Sequence, residues 1–262
     1  MEKIEKALEE AKKNLDTTEG AALQSEAGVE EAPGEAGRVK LDHDALVRKR
    51  VIAGPCGAAL TDYYKVLRTQ IEQRVLCGEG NTLMVTSAMD GEGKSLTALN
   101  MAISFAQEID RTVLLVEADL RNPSLKDLMG LDPGLPGLAD YLLDGRPIQD
   151  LLLRFKKSKL VILPAGRSVP NSPELLGSQR MKDLVLNLKG RNSNRLILFD
   201  TPPLLGPADA IVFSEFVDAI VMVAEAGKTS EAKIKKARDL LAGRNVIGVI
   251  LNKTRQDKTI QV

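Results

Sequence analysis

The residues best suited to chemistry form the run Thr86-Ser-Ala-Met-Asp-Gly-Glu-Gly-Lys-Ser95. Apolar Leu83-Met-Val85 precedes it and Leu96-Thr-Ala-Leu-Asn-Met-Ala-Ile-Ser-Phe105, of helical character, follows it. Strand, glycine-containing turn closing in Gly-Lys-Ser, then helix is the layout of a phosphate-binding loop. Gly91 and Gly93 let the backbone come close to phosphate oxygens, and the free N–H groups opening the helix point at the anion. Lys94 is placed to reach the β- and γ-phosphates, and the Ser95 hydroxyl to sit on Mg²⁺. The candidate nucleotide-binding residues here are Asp90, Gly91, Glu92, Gly93, Lys94, Ser95 and Leu96. Ala88 stands where such loops usually carry their first glycine.

Two acidic strand ends are candidates to work with that loop. Asp200 follows the apolar Leu196-Ile-Leu-Phe199, the arrangement in which a carboxylate holds Mg²⁺ directly or through water. Glu117 and Asp119 close the apolar run Thr112-Val-Leu-Leu-Val116, with Arg121 two residues on. Such a pair can hold a metal's water shell or take a proton from an attacking hydroxyl. Strand-end aspartates also cap following helices, and that alternative stays open. On this reading Lys94, Glu117, Asp119 and Asp200 are catalytic, and Ser95, Asp119 and Asp200 hold metal.

The elements that must position these residues alternate between helices and apolar strands, the pattern of a mostly parallel sheet covered on both sides. Strands are expected at 112–116, 160–163, 195–199, 219–223 and 246–251, besides the one before the loop. Helices are expected at 174–188 and 230–242. Ligands of open α/β sheets bind beyond the carboxyl ends of the strands, where the acids fall. Before the loop, Leu60, Tyr64, Leu67, Ile71 and Val75 form one apolar helical stripe. Asp62, Lys65, Arg68 and Glu72 lie off it, either as a solvated face or as a subunit contact.

Residues 1–45 are expected to be a short, weakly amphipathic helix and a flexible acidic linker, since Thr17 to Gly37 holds almost nothing large and apolar. Residues 46–262 are expected to form the domain built around the phosphate loop. Lys+Arg and Asp+Glu are equal at 36 each, which argues against nucleic acid as a partner. Cys56 and Cys77 show no metal-ligand spacing. His43 reads as a surface residue. A charged N-terminus and the lack of any long apolar run point to a cytoplasmic protein.

Taken in order, Asp-Gly-Glu-Gly-Lys-Ser, Leu-Leu-Val-Glu-Ala-Asp-Leu-Arg-Asn-Pro-Ser-Leu125, Gly137-Leu-Ala-Asp-Tyr-Leu142, Leu163-Pro-Ala-Gly166, Asn171-Ser-Pro-Glu-Leu-Leu176 and Phe199-Asp-Thr-Pro-Pro203 with Asp209-Ala210 resemble the bacterial tyrosine autokinases of capsular and extracellular polysaccharide synthesis. The likeness runs from about Leu60 to Lys253. It is greatest to the stand-alone form found with exosortase-linked loci. The resemblance implies a P-loop NTPase three-layer α/β/α fold, ATP and Mg²⁺, Asn252 near the adenine base, and a homo-oligomer through helix 60–76 by way of Asp62, Lys65 and Arg68. It also implies an inner-membrane chain-length determinant protein as partner, with recruitment to the inner face of the plasma membrane.

The chain departs from that family's pattern in three places. Glu117 replaces the usual first aspartate, Asp62 and Lys65 replace a glutamate and an arginine, and the family's C-terminal tyrosine cluster has no counterpart. The three tyrosines are Tyr63, Tyr64 and Tyr141. Two functions follow: a tyrosine kinase acting on other proteins, or on Tyr63 or Tyr141, and an ATP-binding regulatory switch without phosphotransfer. A partitioning-type ATPase is a weaker third, because Met89 stands where those proteins carry a further lysine.

Overall fold

A computed structural model describes residues 43–52, 58–75, 80–155, 158–190 and 194–254. The expected N-terminal helix and linker lie outside these residues. Helices α1 (His43–Arg48) and α2 (Ala58–Val75) lead into β1 (Thr82–Ser87), the phosphate loop and α3 (Lys94–Phe105). Then come β2 (Thr112–Glu117), α4 (Leu125–Met129), α5 (Leu138–Asp144), a 3₁₀ turn (Ile148–Leu151), β3 (Leu153–Arg154) and β4 (Leu160–Leu163). The remainder is α6 (Ser172–Leu176), α7 (Gln179–Gly190), β5 (Arg195–Asp200), α8 (Asp209–Phe213), β6 (Ala219–Glu225), α9 (Glu231–Asp239) and β7 (Val246–Asn252).

The seven strands form one sheet in the order β3-β4-β2-β5-β1-β6-β7, parallel except for the short β3 beside β4. Parallel neighbours need long crossovers, and the helices on them cover both faces, so the central strands are buried along nearly their whole length and mostly apolar. Leu83, Val85, Leu115, Leu198 and Val221 pack on one face with α2 and α3, around Phe105. Met84, Val116, Ile197, Phe199 and Met222 pack on the other with Met181, Leu184 and Phe213. Phe199 and Phe213 meet at 4.8 Å between ring centroids. Register then brings the site together: Val85 lies opposite Asp200, and Asp200 opposite Glu117, at the carboxyl ends of three adjacent strands.

The helix expected at 174–188 is two helices. Gly177, whose absent Cβ would lie 2.9 Å from Val212, closes α6, and the Ser178 hydroxyl accepts the Met181 N–H to start α7. The helix expected at 230–242 spans 231–239, with Ser230 as its N-cap. Tyr64 and Ile71 of the α2 stripe are buried. His43 begins α1. Among the described residues no helix is long and apolar enough to cross a membrane.

One close approach sets the floor of the site. The Leu138 and Ala139 amides at the start of α5 donate to the Pro164 and Ala165 carbonyls after β4 at 2.8 and 2.9 Å. A Cβ on Gly137 would lie 2.0 Å from the Pro164 oxygen, with backbone on both sides of the clash. Gly137→Ala is expected to cost about 2 kcal/mol or more of unfolding free energy; a denaturation midpoint equal to wild type would refute this packing.

Candidate functional site

Gly93, with φ 92° and ψ 24°, is the N-cap of α3, and Gly91 also has a positive φ of 78°. Both conformations favour glycine, and a Cβ on Gly93 would in addition strike the Asn252 amide nitrogen at 2.2 Å. Ala88 is fully buried and is not among the positive-φ positions, so its methyl group is accommodated where a glycine is usual. The chain after β5 runs beside the loop's entry, with the Leu204 and Leu205 amides donating to the Ser87 and Ala88 carbonyls at 2.8 and 3.1 Å.

Lys94 is the hub. Its ammonium lies 2.6 Å from Asp119 Oδ2, 3.3 Å from the Ser95 hydroxyl and 4.0 Å from Asp200 Oδ1. Burial works against this charge, but the carboxylates of Asp200, Asp119 and Asp90 outweigh it and hold the lysine above its ordinary pKa. Asp119 also accepts the Asn122 N–H at 3.0 Å, which orients its carboxylate.

Asp200 is fully buried, and neither of its carboxylate oxygens has a hydrogen-bond partner among the described residues. Burial pushes it up to about 7. Lys94 and the Ser95 hydroxyl pull it back only in part, and the charges of Glu117 and Asp119 push it further. A buried carboxylate without hydrogen bonds costs stability, and this one sits at the mouth of a phosphate loop.

Glu117 is placed differently. Its carboxylate accepts the Ser124, Leu125 and Ala165 amides at 2.5, 2.7 and 2.9 Å, tying the start of α4 to the loop after β4. Burial raises its pKa, although those three amides favour the charged form. Its place at a strand end was legible; its pairing with Asp200 across the sheet and its occupation by backbone were not. Arg121 lies with its Nε 3.5 Å from the buried Asp209, whose other oxygen accepts the Ser172 hydroxyl. Asn252 reaches the loop and donates to the Glu92 carbonyl at 2.9 Å.

Sequence reasoning assigned no role to Thr229 and Lys253, which meet the loop's Glu92 and Gly91, to Glu225, which contacts both, or to Asp209, which pairs with Arg121. Of these only Asp209 stood in a recognisable motif. Arg68, expected at a subunit contact, is committed within the chain: it donates to the Ser104 carbonyl at 2.7 Å and pairs with Glu108 at 3.1 Å. Asp62 and Lys65 are exposed and paired with each other at 2.9 Å. A cleft of about 1100 Å³ at the opposite end of the strands is lined by Asn81, Arg111, Lys189 and Asp218 and holds none of the candidate nucleotide or metal residues.

The raised Asp200 pKa has a definite sign. The native state holds this proton more tightly than the unfolded chain, whose ordinary value is 3.8. Stability from this group therefore falls as pH rises from about 4 to about 7 and is level above. In magnesium-free buffer at pH 8, Asp200→Asn is expected to be more stable than wild type, by on the order of a few kcal/mol. The gain should shrink toward pH 5. A pH-independent difference in melting would contradict a buried carboxylate without hydrogen bonds.

Comparison with known proteins agrees with this geometry. Residues 83–262 match the CobQ/CobB/MinD/ParA nucleotide binding domain. The chain is 34% identical over 200 residues to the tyrosine-protein kinase YwqD of Bacillus subtilis (strain 168), covering 76% of this chain and 83% of that protein. It is 30% identical over 198 residues to the tyrosine-protein kinase CpsD of Streptococcus agalactiae, covering 74% and 84%. Its fold is similar to the solved kinase domain of the Escherichia coli tyrosine kinase ETK, with a TM-score of 0.67 at 26% identity over 78% of this chain and 80% of that one. A nucleotide-binding loop, acids on the two strand ends beside it and this extent of likeness together place the chain in the family of bacterial P-loop tyrosine-protein kinases.

Proposed function

We propose that the chain is a Mg-ATP-dependent protein-tyrosine kinase that regulates exopolysaccharide synthesis, export or chain length. The observation that carries the reading is the buried Lys94–Asp119–Asp200 cluster beneath the phosphate loop, with both Asp200 oxygens lacking a hydrogen bond. Asp90 to Leu96, through its amides and Lys94, holds the phosphates. Arg121, one-third exposed, contacts them from the β2 side, and Asn252 lies near the base.

The residues present fit a divalent cation. Ser95 and Asp200 would hold Mg²⁺, with Asp119 beside them, and its chemistry is to neutralise and orient the transferring phosphate. Among the described residues no group of three or more acidic, His or Cys side chains could hold a metal alone, so phosphate and water would supply the remaining ligands. Asp119 takes the acceptor's proton. Glu117 acts by fixing the loops at Ser124 and Ala165.

Within the chain the tyrosines are not equivalent as acceptors. Tyr64 is buried, with its hydroxyl pKa raised by burial, and Tyr141 lies under the Arg180 guanidinium at 5.0 Å. Tyr63 is 62% exposed on α2, close in sequence to the exposed Val66. This face, with Asp62 and Lys65, is the proposed homo-oligomer contact. An inner-membrane chain-length determinant protein is the proposed partner, and it would draw the kinase to the cytoplasmic face. The second reading, an ATP-binding switch without phosphotransfer, is suited by the burial of Tyr64 and the packing of Tyr141 under Arg180.

The test is intact mass after incubation with Mg-ATP, together with phosphorylation of a glutamate–tyrosine copolymer, beside Lys94→Met. The kinase reading expects copolymer phosphorylation in the wild type alone. Any mass added to the protein itself should be lost in Tyr63→Phe and kept in Tyr141→Phe. Nucleotide binding without either product would favour the switch.

For the oligomer, Asp62→Ala with Lys65→Ala should shift sedimentation toward monomer. Arg68→Ala should instead lower the melting temperature, because it uncaps α3. The reverse pattern would count against the α2 contact drawn here.

A further inference from the structure

Gly91 and Glu92 of the phosphate loop are gripped from outside by Asn252 and by Thr229, Glu225 and Lys253, to which the catalytic reading gives no role. Glu92 is buried, 3% exposed. One of its carboxylate oxygens accepts the Met89 N–H at 3.0 Å within the loop, and the other accepts the Thr229 hydroxyl from the β6–α9 connection. Thr229 in turn accepts the Glu225 N–H at 2.9 Å, so its oxygen is engaged there and its single proton is directed to Glu92. On the backbone side, Asn252 donates to the Glu92 carbonyl at 2.9 Å and Lys253 Nζ to the Gly91 carbonyl at 2.7 Å. Lys253 is also anchored to Glu225 at 3.0 Å and has φ 58°, a left-handed conformation unusual for a side-chain-bearing residue.

The peptide plane gives these contacts a consequence. In a trans peptide the carbonyl of one residue and the N–H of the next point in opposite directions. Holding the Gly91 and Glu92 carbonyls toward the end of β7 therefore turns the Glu92 and Gly93 N–H groups the other way, as a cradle for an anion requires. A glycine-rich turn without those donors is free to flip the planes and present carbonyl oxygens to phosphate instead.

We propose that Thr229 and Lys253 are positioning residues for nucleotide binding, closing with Glu92 and Asn252 a clasp that fixes two peptide planes of the loop in their anion-binding orientation. This rests on the reading of the loop as the nucleotide site. It places part of that site's precision in the β6–α9 connection, outside the phosphate-loop motif.

Calorimetric titration of the full chain with ADP tests the clasp. Thr229→Val, which keeps the shape and loses the hydroxyl, should weaken ADP about tenfold or more. Thr229→Ser should stay within about twofold of wild type, and Lys253→Met should weaken binding as Thr229→Val does. Without nucleotide, Thr229→Ser should melt with wild type and Thr229→Val a few degrees lower, since Glu92 loses a donor, while hydrogen exchange at the Glu92 and Gly93 amides quickens in Thr229→Val. The clasp is overturned if Thr229→Val binds like wild type, or if the Val and Ser variants lose affinity equally in step with melting temperature. Wild type failing to bind ADP at all would instead remove the nucleotide reading, and the clasp with it.

Discussion

A lysine ammonium held between two buried carboxylates is the constraint on which the rest of this structure turns. Charges out of water are tolerated only when paired, and Lys94 has Asp119 at 2.6 Å and Asp200 at 4.0 Å. The three groups come from β1's helix, from β2 and from β5. They meet because β5 lies between β1 and β2, with Asp200 level with Glu117 at the end of β2 and with Val85 near the end of β1. The count remains uneven, since Asp200 keeps two oxygens without donors. A protein selected only for stability would have filled that position with an apolar side chain. On the reading proposed above, the donors for those oxygens come from a nucleotide-bound cation.

The strands and the loop were legible because their signals are local. Apolar runs of strand length, glycines before Gly-Lys-Ser and acids at strand ends each follow from a few neighbouring residues. Contacts between distant segments were not. Nothing near Glu117 in sequence says that its carboxylate spans to Ala165 as well as to Ser124, and nothing near Arg68 marks it as the cap of α3. Gly177 falls inside an otherwise helical pattern, and the side chain of Val212 on α8 that requires a glycine there is far away in sequence.

The substitution of Glu117 for an aspartate is physical as well as chemical. A longer side chain lets the carboxylate reach three amides in two loops while its backbone stays in register with Asp200. Those amides also begin α4 and steady the strand end at Ala165. Glu117, one of the acids expected to be catalytic, is thus held as a brace, and the reactive roles proposed above fall to Asp119 and Asp200.

The last strand carries an implication for how copies of this protein meet. β7 is one edge of the sheet, with Val249 and Leu251 about half exposed. Such an edge invites another chain to add a strand and so to aggregate. Here Arg74 of α2 donates to the Ile247 carbonyl at 3.0 Å, beside an irregularity in the β6–β7 register. A bulky cation and a broken ladder at the start of the strand blunt it as a template. Sheet-to-sheet growth is thereby discouraged at the side where α2 lies, which suits the contact proposed above, where helical side chains rather than a bare strand would choose the partner.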